Sequence, residues 1–274
     1  MRLAALVNTA SGGVPKDGPA TLSAFLAAIG FEAGVAATDG SDFDAVLEDL
    51  LRDKPEALVV WGGDGAAASV LSRSGADGPP ILPLPGGTMN LLHKAHYGAR
   101  SWREIAEEAL AANAPKTISA GDVDGRRFYV AAFFGALTRL ARSREALRDA
   151  NVLQAIEEWR SSDALNLDPA LSIAADGAET TAVALAAFLS EHSGFAVGAL
   201  QPGGALEVGA SLLSAALIDM RVSDGVDVVE GERFIIRHRE GEDTSATLDG
   251  EPTDFGSSIT LSFIPDAARI LSIP

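Results

Sequence analysis

The sequence predicts an α/β protein, with an N-terminal parallel α/β domain over residues 1–114 and a β-rich, sandwich-like domain over 115–274. Three observations carry that expectation. Strand-like and helix-like segments alternate through residues 2–112, the pattern of a parallel sheet covered by helices. Beyond about residue 115 the segments become short, β-rich and punctuated by Gly and Asp, which suits an antiparallel sandwich or barrel. Two early strands also run directly into glycine-rich breaks, "WGGDGAAASV" (61–70) and "PLPGGTMN" (83–90). Open α/β sheets bind ligands at such strand ends.

Taken in order, "RLAALVN" reads as the first strand and "TLSAFLAAIG" as a helix stopped by Gly30. "FEAGVAAT" is the second strand. "DFDAVLEDLLR" is helical, with Leu47, Leu50 and Leu51 sharing a face. "EALVVW" and "PPILPLP" are the third and fourth strands, and "TMNLLHKAHYG" and "WREIAEEALAA" follow as helices. "KTISAGDVDGRRFYVAAFF" reads as a hairpin turning at its "DG". Residues 137–161 read as a helical insertion. Short strands then follow, among them "ALSIAADG", "FAVGAL", "ALEVGASLL", "AALIDMRVS", "VDVVEGERFIIRHR", "SATLDGE" and "SSITLSFIP". The end, "ARILSIP", reads as one more strand, which could return to the first domain.

Composition narrows the function classes. The chain is 47% hydrophobic and 22% charged, a globular balance. No apolar run approaches the ~20 residues a bilayer span needs, and the apolar stretch 3–7 is too short for a signal peptide. There are no cysteines, which excludes disulfides and thiolate chemistry and fits a cytoplasmic setting. A net charge of −17 argues against nucleic acid as a partner and against anything stronger than peripheral, transient membrane contact. The sequence leaves a homo-oligomer open.

The glycine breaks point to phosphate. Glycines at strand ends let backbone N–H groups approach an anion, and the next helix adds its positive end. Gly62, Gly63 and Gly65 offer one cradle, Gly86 and Gly87 with Thr88 a second wall, and "NTASGG" (8–13) a third break after the first strand. On parallel strands all three share one edge, which suits a polyphosphate. Any one of them alone reads as a tight turn, and neither a Walker A motif nor the dinucleotide fingerprint is present. Asp64 inside an anion cradle is unfavourable unless a metal or a proton transfer needs it, and ATP with Mg²⁺ meets that condition.

"NTASGG", "GGDG", "PLPGGTMN" and the C-terminal "LDGE" (248–251) resemble, in order and spacing, the motifs of the diacylglycerol kinase catalytic-domain family, which includes sphingosine kinases and bacterial lipid kinases. The resemblance covers almost the whole chain. It implies phosphoryl transfer from ATP to a lipid hydroxyl in a cleft between a nucleotide domain and a β-rich domain. By motif match, Asn8, Ser11, Thr38, Gly62, Gly63, Asp64, Gly65, Ala66, Gly87, Thr88 and Asn90 would meet the nucleotide. Glu251 would be the general base on the acceptor hydroxyl, with Asp249 beside it and Asp64 completing the catalytic set. Read without the other motifs, "LDGEP" is an ordinary hairpin turn.

The match has departures. Ala66 stands where the family often has Thr or Ser, and Leu91 follows Asn90 where Asp is common. "QPGGALE" (201–207) places Gly203 where some bacterial members carry a metal-binding Asp, so the metal ligands stay unassigned. These departures keep two alternatives in play, a kinase for a soluble acceptor of the NAD kinase type and a nucleotide- or lipid-binding protein with weakened turnover. Other residues read as bland. His93 and His96 suit a solvent-facing helix side, the cluster Arg139, Arg142, Arg144 and Arg148 a solvated face with lipid or phosphate docking as the sharper option, and Trp61 the core.

Overall fold

The structure is a computed structural model that describes residues 1–135, 138, 170–175, 178–189, 194–200 and 226–273. It comprises two compact units, Met1–Ala120 with Pro265–Pro274, and Gly121–Ile264. The expected α/β class is observed: a parallel sheet with helices in the first unit, and antiparallel strands in the second.

In the first unit, β1 (Leu3–Asn8), β2 (Ala33–Thr38), β3 (Ala57–Gly62) and β4 (Ile81–Pro85) lie in the order β2-β1-β3-β4, all parallel. β1 and β3 are near-continuous apolar runs and are buried along almost their whole length, as parallel strands covered on both faces should be. The helices are α1 (Gly18–Ala28), α2 (Phe43–Arg52), α3 (Asp64–Ser74), α4 (Leu91–Tyr97) and α5 (Trp102–Ala112). α1 stops before Gly30, which takes a left-handed φ of +86° that a side chain would resist. α5 starts on a capping box in which Ser101 and Glu104 satisfy each other's backbone N–H groups. Of the expected leucine face of α2, Leu47 is fully buried and Leu50 and Leu51 partly so. Leu22, Leu26, Val7, Trp61, Ile105 and Leu110 form the core.

The last strand, β16 (Ser258–Ser272), ends in this unit, where Ile270 pairs with Ile81 of β4 and the Tyr97 hydroxyl donates to the Leu271 carbonyl at 2.6 Å. "SSITLSFIP" and "ARILSIP" were expected as separate strands, but they are one element. Asp266, at φ +46°, lets the strand turn locally without ending.

β5 (Ala114–Val123) begins in the first unit and ends in the second, where it forms the expected hairpin with β6 (Arg126–Phe128), Asp124 and Gly125 both being left-handed as a two-residue type I′ turn requires. One antiparallel sheet runs β12-β11-β10-β7-β14-β15, comprising β7 (Ala131–Gly135), β10 (Ala184–Leu189), β11 (Phe195–Leu200), β12 (Val226–Gly231), β14 (Thr244–Leu248) and β15 (Glu251–Phe255). A second joins the start of β16 to β13 (Arg233–His238), β8 (Leu171–Ala175) and β9 (Ala178–Ala182). Phe134, Phe195 and Ala246 from the first sheet and Phe234, Ile236 and Leu261 from the second share one core, a sandwich arrangement. The helical reading of 137–161, apart from Thr138, and the strand readings within 205–223 lie outside the described residues. Among the described residues no helix is long and apolar enough to cross a membrane.

Candidate active site

The three glycine breaks follow β1, β3 and β4, and because those strands are parallel they emerge on one edge. They are stitched to one another. The Gly63 N–H donates to Ser11 Oγ at 3.1 Å, the Gly13 N–H to the Gly86 carbonyl at 2.8 Å, and the Gly86 N–H to the Gly62 carbonyl at 2.8 Å. Asn8 closes the first loop by accepting from the Ala10 N–H at 3.1 Å. Asn90, held left-handed at φ +50°, closes the third: its Oδ1 accepts from the Gly87 N–H at 2.8 Å and its Nδ2 donates to the Gly87 carbonyl at 2.9 Å.

This corrects the reading that the loop glycines offer their amides to a phosphate. Gly13, Gly63, Gly86 and Gly87 spend those amides on holding the loops together. Their lack of a side chain matters for packing instead: a Cβ on Gly87 would lie 2.8 Å from Gly63 Cα, and one on Gly86 would lie 3.0 Å from Gly62 Cα. The groups left for an anion are in the first turn of α3, where a helix has N–H groups without intrahelical acceptors and a positive dipole end. Gly65 and Ala66 sit there, partly exposed, and Thr88 is exposed on the neighbouring loop. Gly63 caps the turn in extended conformation, where a Cβ would come no closer than 3.5 Å to the protein.

Asp64 is 8% exposed, and its Oδ1 accepts from the Leu92 N–H of α4 at 3.0 Å. A carboxylate in the first turn of α3 that also meets the first turn of α4 is stabilised by both helix ends. Its presence in an anion cradle therefore has a structural explanation, and neither a metal nor a proton transfer is needed to account for it. Thr38 is buried likewise. Its hydroxyl donates to Asp42 Oδ1, accepts from the Gly40 N–H at 3.0 Å, and so fixes the turn from β2 into α2. The Thr38 carbonyl meanwhile accepts from Thr9 N–H and Oγ1. Asp42 was not singled out in the sequence, although a Thr four residues before an Asp at a helix start is a readable pairing.

In the second unit, "LDGEP" is a hairpin turn between β14 and β15, with Asp249 at φ +47° and Gly250 at +87°. The turn is unusually well anchored. Asp249 is 3% exposed, and its carboxylate accepts from three consecutive backbone N–H groups: Tyr129 at 2.6 Å, Val130 at 2.8 Å and Ala131 at 3.0 Å. The Asp249 N–H returns a bond to the Ala131 carbonyl at 2.9 Å. Glu251, two residues on, is the exposed first residue of β15. The two acidic residues of the motif thus differ in kind, one locked into the backbone and one at the surface.

The histidines depart from expectation. His93 is 6% exposed rather than solvent-facing, and its Nε2 has no hydrogen-bond partner. Burial, reinforced by Lys94, holds its pKa below the usual value. His96 is pushed down to about 4 by burial and then by Lys116. Both are therefore neutral near pH 7. Trp61 is core, as expected, with its indole N–H donating to the Pro85 carbonyl at 3.0 Å. Among the described residues there is no group of three or more His, Asp or Glu that could hold a metal. The arginine cluster at 139–148 and "QPGGALE" lie outside the described residues. The amino end of α3 thus offers N–H groups and a positive dipole end, which suit a phosphate.

Residues 2–123 match the family model of the diacylglycerol kinase catalytic domain, a kinase domain. Among solved structures, a diacylglycerol kinase from Bacillus anthracis strain Sterne is similar across 100% of this chain and 97% of its own, with TM-score 0.74 and 14% identity. Two further structures from that organism are similar with TM-score 0.73, at 16% and 15% identity, covering 100% of this chain and 95% and 97% of theirs. The expected fold, and the resemblance carried by "NTASGG", "GGDG" and "PLPGGTMN", thus have independent counterparts, whereas "LDGE" lies beyond the residues that the family model matches.

Proposed function

We propose that this chain is an ATP-dependent lipid kinase that moves the γ-phosphate to a lipid hydroxyl such as that of diacylglycerol. The observation that carries the reading is the set of three loops stitched around the amino end of α3, inside the stretch that matches a kinase domain. In this reading the Gly65 and Ala66 amides and the α3 dipole take phosphate oxygens, and Thr88 adds an exposed hydroxyl. Gly63 and Gly87 keep side chains out of the way, while Asn8, Ser11, Thr38, Asp64 and Asn90 hold the loops in place. Gly62 brings β3 close enough to be bonded by Gly86.

Phosphoryl transfer is mostly positioning and charge neutralisation, plus a group that takes the acceptor's proton. Glu251 takes that proton as the acceptor oxygen bonds the γ-phosphorus and the bond to the bridging oxygen breaks, releasing ADP. Asp249 is a positioning residue that fixes the turn bearing Glu251. Mg²⁺ bound to the nucleotide phosphates would supply charge neutralisation. Membrane contact in this reading is peripheral and transient.

The direct test is incubation with ATP, Mg²⁺ and a mixed lipid extract, read by mass spectrometry for species that gain a phosphate. The expected result is one or more phosphorylated hydroxyl lipids. Phosphate appearing only on water-soluble acceptors would replace the lipid reading with a soluble-acceptor kinase. Nucleotide binding with no transfer would replace it with a binding protein.

A further inference from the structure

The first unit carries a concavity at the strand ends opposite the glycine loops. It has a volume of about 570 Å³ and is built from the segments that lead into β3 and β4. Pro55, Pro79 and Pro80 form rigid apolar walls, and Lys54 and Arg269 reach it as cations. Volumes of this order are typical of small-molecule sites.

Arg269 is the unusual member. It lies within β16 beside the fully buried Ala268 and Ile270, and its Nε is inaccessible to solvent and has no hydrogen-bond partner. A buried charged donor without an acceptor is costly, and folded proteins rarely leave one. The other charges around the groove are largely spoken for. Arg73 pairs with Asp44 at 2.9 Å and Glu48 at 3.3 Å, and Glu56 accepts from the Arg2 N–H at 2.5 Å. Asp77 is exposed and solvent-screened, as is Lys54. The group with an unmet need is therefore the guanidinium of Arg269.

With Nε closed to solvent, the part-exposed guanidinium can still offer parallel N–H bonds from its two outer Nη groups to two oxygens of a planar or tetrahedral anion. We propose that this groove is a second anion site, taking a small phosphate monoester or carboxylate end-on at the Nη groups of Arg269, with Lys54 at the rim. It stands apart from the nucleotide cradle. β3 separates the two, and its six residues span roughly 20 Å at ~3.3 Å per residue. The proposal does not depend on the kinase reading.

The test is titration of the isotope-labelled full chain with glycerol 3-phosphate, and separately with acetate, followed by amide chemical shifts. Saturable shifts are expected at Lys54, Glu56 and Arg269. In Arg269→Lys, which keeps the charge but loses the fork, affinity should fall at least fivefold. In Arg269→Met it should vanish, while ATP affinity stays unchanged. A second readout separates a ligand residue from a structural one: ligand-free Arg269→Met should melt no lower than the unsubstituted protein, since an unmet donor is removed. Absent shifts, shifts indifferent to Arg269, or a clear fall in melting temperature for Arg269→Met would each overturn the site.

Discussion

At the level of single residues, the glycines divide into two kinds that the sequence could not separate. "GG" after a strand announces close approach but not to what. A Cβ on Gly87 would press on Gly63, whereas a Cβ on Gly63 would sit at ordinary contact distance from Gly87 and Ser11. Gly87→Ala should therefore cost roughly 1–3 kcal/mol of stability, the usual range for overpacking, because its Cβ would meet Gly63 Cα at 2.8 Å. Gly63→Ala should fold normally, since its nearest neighbour would be 3.5 Å away. It should nonetheless weaken ATP binding by at least about tenfold, or ~1.4 kcal/mol. Thermal melts and nucleotide titration of both variants distinguish the cases, and a Gly63→Ala protein with unimpaired ATP affinity would remove the α3 turn from the site. Asp64 teaches the same lesson. Its position in "GGDG" was legible, but its bond to Leu92 was not, because that partner is 28 residues away in sequence. His96 gives a pH signature. Its ordinary value is 6.5, and burial lowers the native value to about 4. Between those limits the unfolded chain binds a proton that the native state refuses, so stability falls as pH drops from 6.5 toward 4 and is unaffected by this group above that window. Urea melts at pH 7.5 and 5 should show the drop, and His96→Gln should reduce it. An identical drop in the variant would assign the effect to other groups.

Among the elements, the β14–β15 hairpin shows most clearly what local pattern reveals and omits. "DG" at a strand end correctly signals a two-residue turn, as it does for Asp124 and Gly125 in the β5–β6 hairpin. Nothing local signals that Asp249 would reach three amides about 120 residues earlier in the chain. Asp249→Ala would leave those amides without their acceptor. With each unmet buried donor costing about 1–3 kcal/mol, the variant should lose several kcal/mol in urea unfolding. Asp249→Asn, which keeps one acceptor oxygen, should fall between Ala and the unsubstituted protein. Equal stability of all three would mean that the turn does not depend on this carboxylate. α4 was legible as a helix from its apolar spacing, but its buried face was not. His93 is polar by composition, yet it occupies a core-facing position beside Tyr97. β16 exceeded expectation for the opposite reason: Pro265 and Asp266 looked like a strand boundary, and a left-handed Asp266 lets the strand pass through it.

For the molecule as a whole, the class of fold was readable because periodicity reports it directly: alternation of strand and helix in the first unit, short alternating strands in the second. That the three glycine loops share an edge was readable too, since parallel strands put every loop after a strand on the same side. The proline-walled groove was invisible in the sequence because its lining comes from three separate regions, 51–56, 73–80 and Arg269, the last about 190 residues from Pro80. In the proposed reaction the exposed acid of "LDGE" performs the chemistry while the buried one supports it. Glu251→Gln keeps the size and removes the basicity, and as an exposed strand residue it should leave the melting temperature nearly unchanged. The measurement is the single-turnover rate of phosphate transfer from ATP to an accepted lipid, compared between the unsubstituted protein and Glu251→Gln at equal nucleotide saturation. The account predicts a rate lower by something like 10²–10⁴-fold, the range for loss of a general base, with ATP affinity unchanged. Transfer by Glu251→Gln at the unsubstituted rate would contradict it and leave "LDGEP" as a hairpin turn alone.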